Sequence, residues 1–460
     1  MSAPPPDLRA AWALRAPERE LLAWGLLCVG LGFAMAIGSA QAAGARLGAE
    51  VLVAPALQLG CVVVIHLGLV ALRCRGDQLL TACIALLAGF GLLVRYRMGA
   101  FDPGDPTDPG LYALPLGVTA MLVTCALAMR GRHTRLAAAG WLWAALSLAL
   151  VVVVLALGQR FRGAVYGVGL VTPTELLKIT AVVFMAWFVD RHAKALGEWR
   201  GPGSMWPPLR ALWPLVGFWA ALAALLLWQR DLGMLAVLAT VQLVVLVAGS
   251  GRRGYLWWGL GLGGALGTAA LGLFAHGQRR LAAWLDPFAD PTGASWQILQ
   301  GLSGMYSGGL WGEGLGAGNP EYTPIAQSDF IYAVIGEEFG FVGCVLLVVF
   351  VLILLWRGLL VAERTRDRFG RLLGLGLISA LACQTLLNLG GVTKLIPLTG
   401  ITLPLISQGG TSLVTALVML GLVLALSDGP APRPSGTRRQ PRRSAQRGAQ
   451  RPASRADQTQ

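Results

Sequence analysis

RRLAAWLDPFADPTGASWQILQGLSGMYSGGLWGEGLGAGNPEYTPIAQSDFIY, residues 279–332, is a polar, glycine-rich stretch set between hydrophobic segments. A connection this long between membrane helices is usually functional or disordered. Its aromatics and spaced glycines differ from the Arg-, Pro- and Ser-rich sequence at the C-terminus. The stretch therefore reads as the place where this chain does its chemistry.

Working outward, the rest of the chain is apolar. It is 55% hydrophobic and 13% charged over 460 residues, with a mean hydropathy of +0.63. Soluble domains carry about 25% charged residues, so the composition predicts an all-α, polytopic integral membrane protein. A spanning helix takes roughly 20 mostly apolar residues. About twelve segments qualify, at 21–43, 51–72, 78–95, 111–129, 136–158, 174–189, 208–228, 232–249, 255–276, 329–356, 370–392 and 412–427. The first is too long, and too far from the N-terminus, for a signal peptide. Of seven cysteines, six fall in hydrophobic segments and Cys74 in a short basic loop, and their spacing predicts neither disulfides nor a metal site.

A net charge of +14 is compatible with nucleic acid, but its placement argues against that partner. Basic residues occupy alternate loops: Arg73 and Arg75; Arg130, Arg132 and Arg135; Arg191, Lys194 and Arg200; Arg252 and Arg253; and Arg357 through Arg371. This is the positive-inside pattern. It predicts cytoplasmic termini, with a short tail over 1–20, and an extracytoplasmic loop over 277–328. The tail from 428 to 460 is expected to be disordered, serving either to attract anionic headgroups or only to fix topology.

Ionisable groups in or beside spanning helices are costly, and each is a functional candidate. In TPTELLKI, residues 172–179, Glu175 and Lys178 share one helix face at i,i+3. They form either part of an anion site or a structural ion pair. QRDLG at 229–233 is a polar break that reads as a tight turn or a further site. Asp329 opens a hydrophobic segment that carries Glu337 and Glu338 two turns in, suited to a proton relay or to helix packing. TKLIPLTGITLPLISQGGTS at 393–412, after Asn388, is too broken by proline and glycine for one helix. Non-helical backbone at membrane depth survives only when buried in protein or lining a cavity, so a re-entrant segment is expected there. Asp286 and Asp290 both precede proline. Either is a turn former, a general base or a cation ligand, and residue chemistry alone does not separate them.

Together these segments resemble the SEDS family (shape, elongation, division and sporulation) of the RodA/FtsW type, over residues 160–427. TPTELLKI resembles the family's Gln-Pro-Ser-Glu-x-x-Lys, with Arg162 thirteen residues before Glu175 where the family has a loop arginine. QRDLG, SDFIYAVIGEEFG and IPLTGITLPLISQGGTS are similar to further family motifs in the same order, and five in order are specific. The I-P-L-T-G form after GGVTK looks more like the RodA branch. Asp290, with Pro291, Gly293 and Gln297, fits the family's outer-loop aspartate motif, so the resemblance assigns the catalytic role to Asp290 rather than Asp286.

The resemblance implies a peptidoglycan glycosyltransferase that polymerises lipid II at the outer face of the cytoplasmic membrane. Arg162, Glu175, Lys178, Gln297, Asp329, Lys394 and Ser407 would contact substrate. Asp290 would act as base or, less directly, hold a divalent cation (Mg or Mn). Undecaprenyl-linked glycan and a class B penicillin-binding protein are the implied partners. A flippase or transporter for lipid-linked precursors is the alternative. The departures are an extra N-terminal helix pair within 21–159, Thr172 in place of glutamine, Ser295 and Lys394 in place of glycines, Gln408 in place of tyrosine, and Gln327 in place of histidine.

Overall fold

The computed structural model describes residues 7–45, 48–158, 160–161, 164–165, 167, 171–199, 207–273, 275–293 and 295–428. Arg162 and the tail beyond Asp428 lie outside the described residues. The chain forms α1 (Leu8–Leu14), α2 (Ala16–Ala42), α3 (Val53–Ala71), α4 (Gln78–Arg97), α5 (Pro109–Ala128), α6 (Gly140–Leu157), α7 (Leu177–Arg191) and α8 (Ala193–Gly197). These are followed by α9 (Leu209–Gln229), α10 (Leu232–Ser250), α11 (Gly254–Leu273), α12 (Ala275–Leu285), α13 (Trp296–Ser307), α14 (Ile331–Arg364), α15 (Arg368–Val392) and α16 (Gly410–Ser427). A two-residue antiparallel ladder pairs Arg160–Phe161 with Ala164–Val165.

Several helices start where an aspartate supplies the missing backbone partner. Asp77 accepts from Leu80 N at 2.8 Å, Asp231 from Met234 N at 2.8 Å and Asp367 from Gly370 N at 2.6 Å. Ten of the described helices are long and apolar enough to cross a membrane, and the other two expected segments form the helices α7 and α11. The segment at 174–189 gives up its first turn to a 3-10 helix, Pro173–Leu176, leaving 15 residues of α-helix in α7. In the segment at 255–276, α11 runs for 20 residues, Gly254–Leu273. The expected loop 277–328 is itself partly helical, holding most of α12 and all of α13.

The core lies around α7, whose Ala181, Val182, Val183 and Phe184 are fully buried. Helices α6, α10 and α15 pack around it, and α16 runs along α5. Lipid tails are as apolar as leucine, so such helices associate through close packing rather than hydrophobic transfer. At Gly421 a Cβ would lie 2.5 Å from Met121 O, so glycine there lets α16 reach the backbone of α5. On the periphery Trp24, Leu31, Trp213 and Trp257 are exposed, as expected for lipid-facing side chains. Helices α2 and α3 dock against α4 partly through a buried polar group. Arg15 pairs with Glu18 and donates to Cys74 O at 2.9 Å, while His66 Nδ1 lies 2.8 Å from Glu18 Oε1.

The bundle has two chemically different ends. At one, Arg130 donates to Leu72 O, Arg75 N to Asp428, Arg357 pairs with Asp77, and His133 meets Asp367. The basic loops and the described chain ends near Arg15 and Asp428 therefore gather together. Helix α4 starts at this end and rises about 30 Å over its 20 residues. Its last residue, Arg97, donates to Gly318 O at 3.1 Å, so the glycine-rich stretch lies at the opposite end.

Candidate active site

At the glycine-rich end, Lys178 anchors the site. It is 1% exposed, with Nζ 2.5 Å from Glu175 Oε2 and donating to Gln384 Oε1 at 2.7 Å. Gln384 Nε2 in turn donates to Thr402 O at 2.9 Å. The i,i+3 pair, Glu175 on the 3-10 turn and Lys178 on the first turn of α7, is thereby coupled through α15 to the broken segment between Val392 and Gly410. That segment is non-helical, as its prolines and glycines predict.

Its backbone is satisfied by side chains from several elements, which is what depth in a membrane demands. Asn388 donates to Ile401 O at 2.7 Å and to Asp329 O at 2.8 Å. From α12, Arg280 donates to Thr399 O at 2.8 Å and Trp284 to Lys394 O at 3.0 Å. Ser407 Oγ accepts from Leu403 N at 2.8 Å and donates to Ser328 O at 2.5 Å, fixing the residue before Asp329. Gly400 is left-handed (φ 74°), and a Cβ there would lie 3.5 Å from both Arg280 Nη2 and Asp329 Oδ2. The guanidinium and the carboxylate thus flank one glycine.

The turn at 229–233 joins the same group. Burial pushes the Asp231 carboxyl above its ordinary range; the Met234 N–H opposes this, Glu175 adds to it, and Arg280 and Lys178 draw it back. Glu175, Lys178, Asp231, Arg280 and Asp329 therefore form one charged neighbourhood. Lys394, left-handed and half-buried, borders it through its backbone carbonyl.

Asp290 stands on the exposed turn between α12 and α13, with Gln297 half-buried on the first turn of α13. A Cβ built at Gly293 would lie 2.2 Å from Asp290 Oδ2, so the Asp-Pro-x-Gly spacing has a steric cause. Gly293→Ala is expected to lower activity roughly tenfold to a hundredfold by displacing that carboxylate, with an unchanged thermal midpoint. An unaltered rate would show that the position of Asp290 is unimportant. Asp286 instead closes its own turn, accepting from Phe288 N at 3.1 Å.

Glu337 and Glu338 serve the glycine-rich stretch. Glu337 accepts from Asn319 N at 2.7 Å, Glu338 from Gly316 N at 3.3 Å, and Glu338 also pairs with Arg97 at 3.0 Å. Where α14 kinks at Gly340 (φ 67°), Glu313 N and Gly314 N donate to Glu337 O and Glu338 O, and Phe341 N and Val342 N to Gly309 O and Leu310 O.

Sequence reasoning missed Arg280 and Gln384. Arg280 stood in the opening of the polar stretch and was the available signal; for Gln384, inside a hydrophobic run, a lone amide was the only one. Gln327 and Gln408, both departures from the family pattern, are joined by Gln408 N to Gln327 O at 2.7 Å and reach Met98 O and Ala100 O.

A family model for cell cycle proteins, covering FtsW, RodA and SpoVE, matches residues 77–429. The chain belongs to the FtsW/RodA/SpoVE family. The match begins just before α4, so α2 and α3 precede it. Among FtsW/RodA/SpoVE relatives, the peptidoglycan glycosyltransferase RodA of Mycobacterium tuberculosis is 36% identical over 375 residues, 79% of this chain and 80% of that one. A chain of a structure described as "Structural coordination of polymerization and crosslinking by a peptidoglycan synthase complex" is 28% identical, with TM-score 0.60, covering 76% of this chain and 97% of that one. The rod shape determining protein RodA of Thermus thermophilus is 26% identical, with TM-score 0.53, covering 76% and 96%. The protein is an all-α, multi-pass member of the FtsW/RodA/SpoVE family.

Proposed function

We propose that this chain, a peptidoglycan glycosyltransferase of the FtsW/RodA/SpoVE family, polymerises lipid II at the outer face of the cytoplasmic membrane with Asp290 as its base. The observation that carries the reading is the charged neighbourhood on the re-entrant segment, at the end of the bundle opposite the basic loops. The donor is a glycan on undecaprenyl pyrophosphate and the acceptor is the 4-hydroxyl of the GlcNAc of lipid II. The 4-hydroxyl displaces undecaprenyl pyrophosphate from the donor's anomeric carbon, and that leaving group requires positive charge. Arg280 and Lys178, the two cations of this neighbourhood, supply it. Asp290 takes the proton of the attacking hydroxyl. Asp329, Gln297, Lys394 and Ser407 border or position the substrates.

Among the described residues no three acidic, histidine or cysteine side chains converge on a metal position. A divalent cation, Mg or Mn, would have Asp290 as its protein ligand and take its remaining oxygens from phosphate and water, as Mg favours. It would supply charge neutralisation. The flippase alternative would use Glu337 and Glu338 as a relay, but Oε1 of each accepts from the glycine-rich stretch, a structural task. Purified protein is expected to convert labelled lipid II into glycan polymer. Movement of lipid II across a vesicle membrane without polymer would reverse the choice. A class B penicillin-binding transpeptidase is the proposed partner, in line with the synthase complex that the fold resembles.

The orientation follows from the positive-inside bias: basic end, and both termini, in the cytoplasm. A cysteine placed at exposed Ser307 should react in intact cells with a membrane-impermeant thiol reagent. One placed at Glu363, at the basic end, should react only after permeabilisation. Labelling in the opposite order would remove the outer-face polymerase reading.

A further inference from the structure

A cavity at the basic end has no part in the polymerase chemistry. It measures about 390 Å³ and lies where the C-terminal ends of α3 and α5 meet, with Leu72, Arg73, Met129, Arg130 and Arg132 among its walls. Arg73 and Arg130 both have left-handed backbone, φ 53° and 59°, a conformation in which glycine is the unstrained residue. Arg73 stands just past the end of α3. There Arg73 N meets Val70 O at 2.9 Å and Cys74 N meets Leu69 O at 3.0 Å, a helix-ending turn that usually carries glycine. Arg130 reaches across the cleft to donate to Leu72 O at 3.0 Å. Strain kept at two positions that bring guanidinium groups to one cleft points toward a ligand.

The neighbouring surface narrows its chemistry. Leu67 on α3 and Val123 and Leu127 on α5 are exposed and apolar, and they lie on the helices just inward of the arginines. A free phosphate would use only the cationic rim. An anionic headgroup with acyl chains attached uses both surfaces, and basic pockets between helices on the cytoplasmic side suit such headgroups. We propose that this cleft binds the phosphate of an anionic phospholipid, with its acyl chains lying along α3 and α5. One wall comes from α3, ahead of the residues that match the family. The site is therefore built with the extra N-terminal pair. The assignment to the inner leaflet rests on the orientation given above.

The test uses the full chain in nanodiscs of phosphatidylglycerol and phosphatidylcholine in equal parts, with retained lipid read by native mass spectrometry. The wild type is expected to keep phosphatidylglycerol selectively, and excess inorganic phosphate should not displace it. Arg73→Gly with Arg132→Gln should retain it roughly thirtyfold less well. Arg135→Gln, exposed nearby but outside the cleft, should behave as wild type. Because glycine relaxes the left-handed position, Arg73→Gly alone should keep or raise the thermal midpoint in phosphatidylcholine, separating lost lipid from lost fold. The proposal is overturned by equal retention in the double variant, by equal loss in the Arg135 variant, by a lowered midpoint for Arg73→Gly, or by displacement with inorganic phosphate.

Discussion

Asp290→Ala is expected to abolish lipid II polymerisation while the protein still inserts and folds. The side chain is exposed on the turn between α12 and α13, so its removal leaves no cavity in the bundle. On the proposed mechanism the variant lacks its base, and removing one costs typically 10²–10⁴-fold in rate, on the order of 3–5 kcal/mol of barrier. Asp286→Ala makes the contrast. It loses one turn hydrogen bond, to Phe288 N, and should retain substantial activity. Purified variants compared in the polymerisation assay, with melting curves alongside, decide the matter. If Asp286 proves essential and Asp290 dispensable, the assignment within the turn is wrong.

The second large effect is mutual dependence of Glu175 and Lys178. Lys178 is almost wholly buried between Glu175 and Gln384. Removing one member leaves the other charge buried without its partner, at about 3–5 kcal/mol. Glu175→Ala and Lys178→Ala should each lower protein level and thermal midpoint sharply. The double variant carries no orphaned charge and should recover part of that stability. Its activity should stay low, because Gln384 loses the ammonium that holds it while it binds the Thr402 carbonyl. A double variant as active as the wild type would show the pair to be dispensable for chemistry.

Most of the membrane architecture could be read in the sequence, because long apolar runs and aspartate caps act locally. Each of the twelve expected segments is helical, although Pro173 delays the start of α7 by a 3-10 turn. The Glu175–Lys178 pair was legible because i,i+3 spacing fixes its face. Arg280 was not, since its partner Thr399 lies 119 residues away in the chain. Asp231 looked like a turn residue and is one, yet it also faces the charged pair. Gln327 and Gln408 stood out as departures from a pattern, and only folding shows that they meet.

The stitching of the glycine-rich stretch to α14 sets what this loop can change. Gly309, Leu310, Glu313 and Gly314 are held in register against residues 337–342 by backbone groups, and their spacing matches a kink at Gly340. Backbone pairing is indifferent to most side chains but not to the number of residues between contacts. The side chains of Tyr306, Leu310 and Trp311 are exposed and take no part in this pairing, whereas one inserted residue between 309 and 314 would shift donors past their acceptors. The loop is thus a measured length of chain more than a particular composition. Substitution at the exposed positions leaves the pairing intact, whereas an insertion or deletion breaks it.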